Sequence, residues 1–415
     1  MRARRVAAWI ASVVGLATLT VPPAAPARAA PNCAQPGIAF APVPWPQLML
    51  DFERVWPLTQ GANVTVAVID SGVDATHPQL RGRVAAGLDV LEPATAGRAD
   101  CEGRGTQTAG IIAAQPEQGV GFHGVAPQAT ILPVRASDNE AAGRTSGAAG
   151  MVAGIRFAVA NRARVIVIGY ALYASDPALA AEVANAVAND VVVVAAVGED
   201  GAANAPNRTP YPAAYPGVVG VGAILETTSL WAESGRGRFV DLVAPGVEVV
   251  STQRGGGLTL VTGTGLAAAF VGGAAALVRS RWPDLPAQEV VRRLTATAAP
   301  APGGTDTAGY GNGIVSPYAA VADRLAGESP GALPGLAPET GADRERARNW
   351  AESATLAVLL AGIGVLVVLA CVGVAAALPR GRRARWRPRI AARPVRRHED
   401  EDPAPPVRLF ADRET

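Results

Sequence analysis

The sequence predicts an α/β domain on a parallel sheet with helices on both faces, followed by a C-terminal transmembrane helix. Three observations carry this. Continuous apolar runs at Val64–Ile69, Thr130–Val134, Val165–Ile168, Val191–Ala196 and Val218–Ala223 alternate with Ala-rich stretches of helical period. Strands that are apolar at every position are buried on both faces, which a parallel sheet under two helical layers provides. About 300 residues lie between two hydrophobic ends, enough for one large domain with its own core. Finally, the run from Thr355 to Leu378 holds no charge. At 1.5 Å per residue it makes a helix of about 36 Å, long enough to span a bilayer.

Taken in chain order, residues 1–30 read as a signal peptide. Arg2, Arg4 and Arg5 precede an apolar run from Val6 to about Val21, and Ala27-Arg28-Ala29-Ala30 supplies small residues for cleavage. Residues 31–60 are Pro-rich and read as an irregular N-terminal extension, with Trp45, Leu48, Phe52, Val55 and Trp56 available to pack on a larger body. The domain itself occupies residues 61–325. Its helical patterns fall near 146–160 and 177–189, and two further helices run over Leu266–Arg281 and Ala287–Thr297. A Gly/Pro-rich linker, 326–354, leads to the span at 355–378. The tail, 379–415, carries nine arginines between Arg380 and Arg397. Cationic flanks stay on the cytoplasmic side, so the tail is expected inside and the domain outside a cell membrane crossed once.

Composition narrows the functions further. The net charge of +2 is concentrated in the tail, so the domain carries no nucleic-acid footprint. No Cys/His cluster has metal-ligand spacing, and no motif calls for a cofactor. Of the three cysteines, Cys371 falls within the span, and Cys33 and Cys101 remain in the exported part. There a disulfide between them is the expectation, with two free thiols the alternative.

Ligands of open α/β sheets bind beyond the C-terminal ends of the strands, and four segments there hold the candidate site. Asp70 ends the first strand in Val66-Ala67-Val68-Ile69-Asp70-Ser71-Gly72. Arg104 opens a helix of small residues in Gly103-Arg104-Gly105-Thr106. Glu199 follows the strand 191–196 in Val197-Gly198-Glu199-Asp200. Gly265 starts a long helix in Gly263-Thr264-Gly265-Leu266.

With Gly124-Val125-Ala126-Pro127 and Val243-Ala244-Pro245-Gly246, these segments resemble the subtilisin-like serine proteases in family order. The whole arrangement, from signal peptide to basic tail, is similar to the mycosins, the membrane-anchored subtilases of actinobacterial type VII secretion systems. An all-arginine basic set with abundant Ala, Gly and Pro reads as GC-rich coding of the actinobacterial kind. The resemblance implies a subtilisin-like sheet. It also implies that Asp70 matches the triad aspartate, with positions 104, 265 and 199 matching the histidine base, the serine nucleophile and the oxyanion asparagine. The separation 104 − 70 = 34 is normal for that fold. Mycosins also carry a cysteine beside the histidine segment, as Cys101 is here.

Three of the four positions hold the wrong chemistry. A guanidinium stays protonated and cannot serve as a base. Glycine has no hydroxyl to acylate, and a carboxylate at 199 opposes a developing oxyanion. His77, His123 and Thr264 are weak substitutes. The expectation is therefore a non-enzymatic homologue: a structural component of a type VII secretion membrane complex, with membrane components of that complex and the lipid bilayer as partners. A module holding exported peptides in the vacated cleft and an active endopeptidase with unusual residues are the alternatives. Arg104 is expected to fold across the site onto Asp70, and onto Glu199.

Overall fold

The apolar runs pair as their alternation requires. The computed structural model describes residues 33–137, 146–202, 206–302 and 309–323. Its sheet comprises β1 (Thr65–Asp70), β2 (Leu88–Asp89), β3 (Thr130–Arg135), β4 (Val165–Ile168), β5 (Val192–Ala196), β6 (Val218–Ile224) and β7 (Leu242–Pro245). They lie in the order β2-β3-β1-β4-β5-β6-β7, and every neighbouring pair is parallel. Strands β4, β5, β6 and β7 are buried at every position, so both faces of the sheet are covered. The order reverses between β1 and β4, which brings Asp70, at the end of β1, to the crevice where the sheet's connections part.

Helix α2 (Arg104–Ala113) packs against the long helix α5 (Thr264–Arg281), and α5 lies along β4 to β7. Small residues at Ala267–Ala269 and Gly272–Ala276 let α5 run buried along nearly its whole length. Helices α3 (Gly147–Ala160) and α4 (Pro177–Ala188) pack on each other and on the sheet. Helices α6 (Ala287–Ala296) and α7 (Pro317–Ala322) close the C-terminal side of α5. A two-stranded antiparallel hairpin, β8 (Val249–Thr252) and β9 (Leu258–Val261), stands beside α2.

The N-terminal extension departs from the irregular arm the sequence suggested. It forms a short helix, α1 (Trp45–Leu50), and a 3-10 turn at Phe52–Val55, with Pro46 in the first helical turn. Phe52 and Val55 are fully buried and the Trp56 indole N–H donates to the Val125 carbonyl, but Leu48 is 70% exposed. A helical turn can point only one face inward, so Leu48 lies opposite the face of the buried Pro46 and Leu50. Upstream, Ile38 pairs with Leu258 on the edge of β9, and Cys33 is bonded to Cys101 just before α2. Among the described residues no helix is long and apolar enough to cross a membrane. The signal peptide, the span at 355–378 and the tail fall outside the described residues, as does the linker at 326–354.

Candidate functional site

Asp70 is held at the strand end by its own neighbours. The Ser71 amide donates to Oδ1 at 2.8 Å and the Thr108 hydroxyl, from the second turn of α2, donates to Oδ2 at 3.2 Å. Burial pushes the Asp70 carboxyl above its ordinary value, against the opposing pull of Arg104 and of those two donors.

Helix α2 begins where a second buried carboxylate can hold it. Asp100 accepts from the Gly103 amide, the Thr106 amide, the Thr106 hydroxyl and the Ser71 hydroxyl, at 2.6 to 2.9 Å. The Ser71 hydroxyl in turn accepts from the Gly105 amide at 2.9 Å. Donors left over at the start of α2 are thereby satisfied by side chains of the strand end and the preceding loop. Burial raises the Asp100 carboxyl to about 6 despite these hydrogen bonds.

Arg104, the first residue of α2, reaches the cleft and leaves about a third of its side chain exposed. Its Nε lies 3.8 Å from Asp70 Oδ1, an ion-pair contact. Arg104 thus reaches across to Asp70 as expected, by an ion pair and not by hydrogen bonds. The guanidinium hydrogen-bonds Glu102 at 2.9 Å and the Ser137 hydroxyl at 2.9 Å. Glu199 accepts the Thr264 amide at the N terminus of α5, at 3.3 Å, and its own N–H donates to the Tyr173 hydroxyl at 3.1 Å. A carboxylate beside a helix N terminus is electrostatically favoured.

Gly265 lies in the first turn of α5 against Gly169, the residue that follows β4. A Cβ built at 265 would fall 2.2 Å from the Gly169 carbonyl oxygen, and one built at Gly169 would fall 2.0 Å from Asp70 Oδ2. Asp70, Gly169 and Gly265 therefore form a stack with no room for a side chain at either glycine. Around this stack is a cleft of about 290 Å³ whose lining includes Asp70, Arg104, Tyr173, Glu199, Thr264 and Gly265. The four sequence-predicted positions thus converge on one cleft.

Neither histidine considered as a stand-in base lines it. His77 is bound to the Gly257 carbonyl and His123 to Glu53 and Gln47. Sequence reasoning missed Asp100, Glu102, Ser137 and Gly169. An acidic residue just before a helical run was a readable start signal for Asp100, and the glycine just after β4 a readable sign of close approach. Ser137 comes close only through the β3–β1 pairing and has no local signal.

Residues 61–313 match the subtilase family. Subtilisin E of Bacillus subtilis is 35% identical over 260 residues, which cover 63% of this chain and 66% of that protein. Mycosin-4 of Mycobacterium tuberculosis is 36% identical over 327 residues, covering 69% of this chain and 71% of mycosin-4. Among solved structures, the MycP3 protease of the type VII (ESX-3) secretion system superposes with a TM-score of 0.61 at 33% identity, covering 70% of this chain and 92% of that one. The periplasmic assembly of the ESX-5 inner membrane complex contains a chain with a TM-score of 0.63 at 28% identity, over 74% of this chain and 91% of that one. The chain belongs to the subtilase family, within its mycosins.

Proposed function

We propose that this protein is a subtilisin-like pseudoprotease that serves as a structural component of a type VII secretion membrane complex. In this reading the signal peptide exports the chain, the span at 355–378 anchors it, the subtilase domain is extracytoplasmic and the tail is cytoplasmic. Asp70 is the retained triad carboxylate, and positions 104, 265 and 199 are the degenerate base, nucleophile and oxyanion positions.

The observation that carries the reading is the contact between Gly265 and the Gly169 carbonyl. Acyl transfer needs a nucleophile at the start of α5, a base within hydrogen-bond reach of it and donors aimed at the oxyanion. Backbone fills the space a nucleophilic side chain would take. An arginine engaged with Glu102 and Ser137 stands where a base is needed, and a carboxylate caps the helix end that would hold an oxyanion. Loss of a single oxyanion donor costs about 10²–10³ in turnover, and a carboxylate in its place opposes the same charge. Support for the complex comes from relatives that are themselves type VII secretion proteins, one of them within an inner-membrane assembly.

The open cleft favours a second reading, a site that holds an extended peptide without cutting it. The test is labelling of the purified chain by a fluorophosphonate probe together with turnover of a peptide substrate, beside an affinity pull-down from membranes. No labelling, no turnover and co-purification of type VII membrane components are expected. Labelling at the rate of an intact subtilase would overturn the pseudoprotease reading. Co-purification of exported substrates in place of membrane components would support the peptide-holding one.

A further inference from the structure

The cleft has an acidic balance. Asp70, Glu199 and Asp200 line it against the guanidinium of Arg104. Counting the ion-pair partners Glu102 and Arg208 leaves four carboxylates to two guanidinium groups among the described residues. The charge of Arg104 is answered by Asp70 and Glu102 together. Glu199 is exposed, and its carboxylate covers the N terminus of α5, where an anion would otherwise be held, by accepting the Thr264 amide at 3.3 Å. A carboxylate ligand entering here would meet like charge.

The rim of the cleft shows what such a surface takes. The chain's own Arg208 lies with its Cζ 4.0 Å from the centroid of the Tyr173 ring, and its Nε donates to Asp200. Tyr173 and Asp200 both line the cleft, and the Tyr173 hydroxyl accepts the Glu199 amide at 3.1 Å, so the ring and the two acids form one assembly. An aromatic face beside a carboxylate suits a guanidinium, through ring contact and charge at once. Ala171 and Leu266 add apolar lining for the aliphatic stem of a long basic side chain. A volume of about 290 Å³ suits one side chain better than a larger ligand.

We infer that the cleft binds a basic side chain of an extended peptide, arginine before lysine, with the cationic end on Glu199 beside the Tyr173 ring. This rests on the reading of the cleft as a site that holds a peptide without cutting it. Arginine leads because a planar guanidinium can pair with a carboxylate through two parallel N–H groups and can also stack, whereas an ammonium is a point charge. The carboxylate that opposes an oxyanion at position 199 favours a cation for the same electrostatic reason. Because Glu199 is exposed, solvent screens the pair and the selectivity is moderate.

The test compares two peptides, N-acetyl-Ala-Ala-Arg-Ala-Ala-amide and the same peptide with citrulline, the uncharged isostere of arginine, in place of arginine. Binding to the purified full chain is followed by calorimetry, and the recovered peptides are weighed by mass spectrometry. The arginine peptide is expected to bind about fivefold tighter than the citrulline peptide and to be recovered intact. In Glu199→Gln, which keeps an acceptor for the Thr264 amide and loses only the charge, the ratio is expected to fall to about one. Equal binding of the two intact peptides by wild type overturns the inference and leaves the peptide-holding reading standing, as does an arginine preference that survives in Glu199→Gln. Cleavage of either peptide, or binding of neither, overturns that reading and the inference with it. Should the variant not fold, a photoactivatable diazirine residue next to the arginine decides in wild type: adducts within 169–173 or 198–200 are expected, and adducts elsewhere overturn the inference.

Discussion

At the scale of single residues, the site is defined by how tightly its backbone is packed. On the pseudoprotease reading, Arg104→His, Gly265→Ser and Glu199→Asn together would supply a base, a nucleophile and an oxyanion donor, but they replace the side chains and not the space. A Cβ at 265 would lie 2.2 Å from the Gly169 oxygen. Either the start of α5 or the end of β4 must move, and overpacking of this kind costs about 1–3 kcal/mol. Gly265→Ala alone should therefore lower stability by that amount in denaturant titration, and the triple variant should remain unlabelled by a fluorophosphonate probe. Asp100 gives a second prediction at this scale. Its folded carboxyl is raised to about 6, so the fold favours its protonated form. Stability from this group is fully present below the unfolded carboxyl value near 4 and is lost as pH rises through about 6. Asp241, also raised to about 6 by burial, has the same sign. His77 has the opposite sign, because its depressed value costs stability as pH falls. Stability measured from pH 4.5 to pH 7.5 should therefore fall less steeply toward neutral pH in Asp100→Asn than in wild type, the difference approaching about 2 kcal/mol.

At the scale of elements, the strands were the most legible part of the sequence and the edge structures the least. Runs such as Val165–Ile168 and Val218–Ala223 carry their own signal, because a strand buried on both faces is apolar throughout. Strand β2 spans only Leu88–Asp89, too short for any period to show. The hairpin β8–β9 is set by α2 and the extension, both far away in sequence, and its Gly255-Gly256-Gly257 turn reads locally as mere loop. Helix α1 was hidden by the prolines around it, although one of them, Pro46, sits where a helix tolerates proline. The site was legible for the same reason as the strands: its four positions lie at strand ends and helix starts, where local sequence marks them. The contacts among them were not legible, since Arg104 meets Ser137, 33 residues away in sequence, only through the pairing of β1 with β3. The extension's chief tie is Cys33–Cys101, which closes a separation of 68 residues. A loop of that length corresponds to about 4 kcal/mol in the chain-entropy account. Cys33→Ser with Cys101→Ser should destabilise the domain by up to that amount in chemical denaturation. A reducing agent should reproduce the loss in wild type and change nothing in the double variant.

At the scale of the whole molecule, the pseudoprotease reading separates two things a subtilase domain can supply, a cleft and a body. The groups of the cleft are engaged with their surroundings: Arg104 with Asp70, Glu102 and Ser137, Glu199 with the Thr264 amide at the start of α5, and the Gly265 backbone with the Gly169 carbonyl. The body is a seven-stranded sheet with an extension bolted to it by a disulfide, a rigid mass suited to assembly. If the protein serves as a body, its role should be indifferent to the cleft and sensitive to the fold and the anchor. Arg104→Ala and Glu199→Ala should then leave co-purification with type VII membrane components, and secretion through the system, within about twofold of wild type; surface and partly exposed substitutions of this kind typically change stability little. Removal of 355–415 should abolish both by releasing the domain from the membrane. The measurement is secretion of a reporter substrate in cells that carry each variant as the only copy, with pull-down from the same membranes. Loss of secretion by the two cleft variants, with the membrane complex still assembled, would show that the cleft holds a peptide. Retention of both functions by the chain lacking its span would show that the anchor is dispensable and would overturn the placement at the membrane.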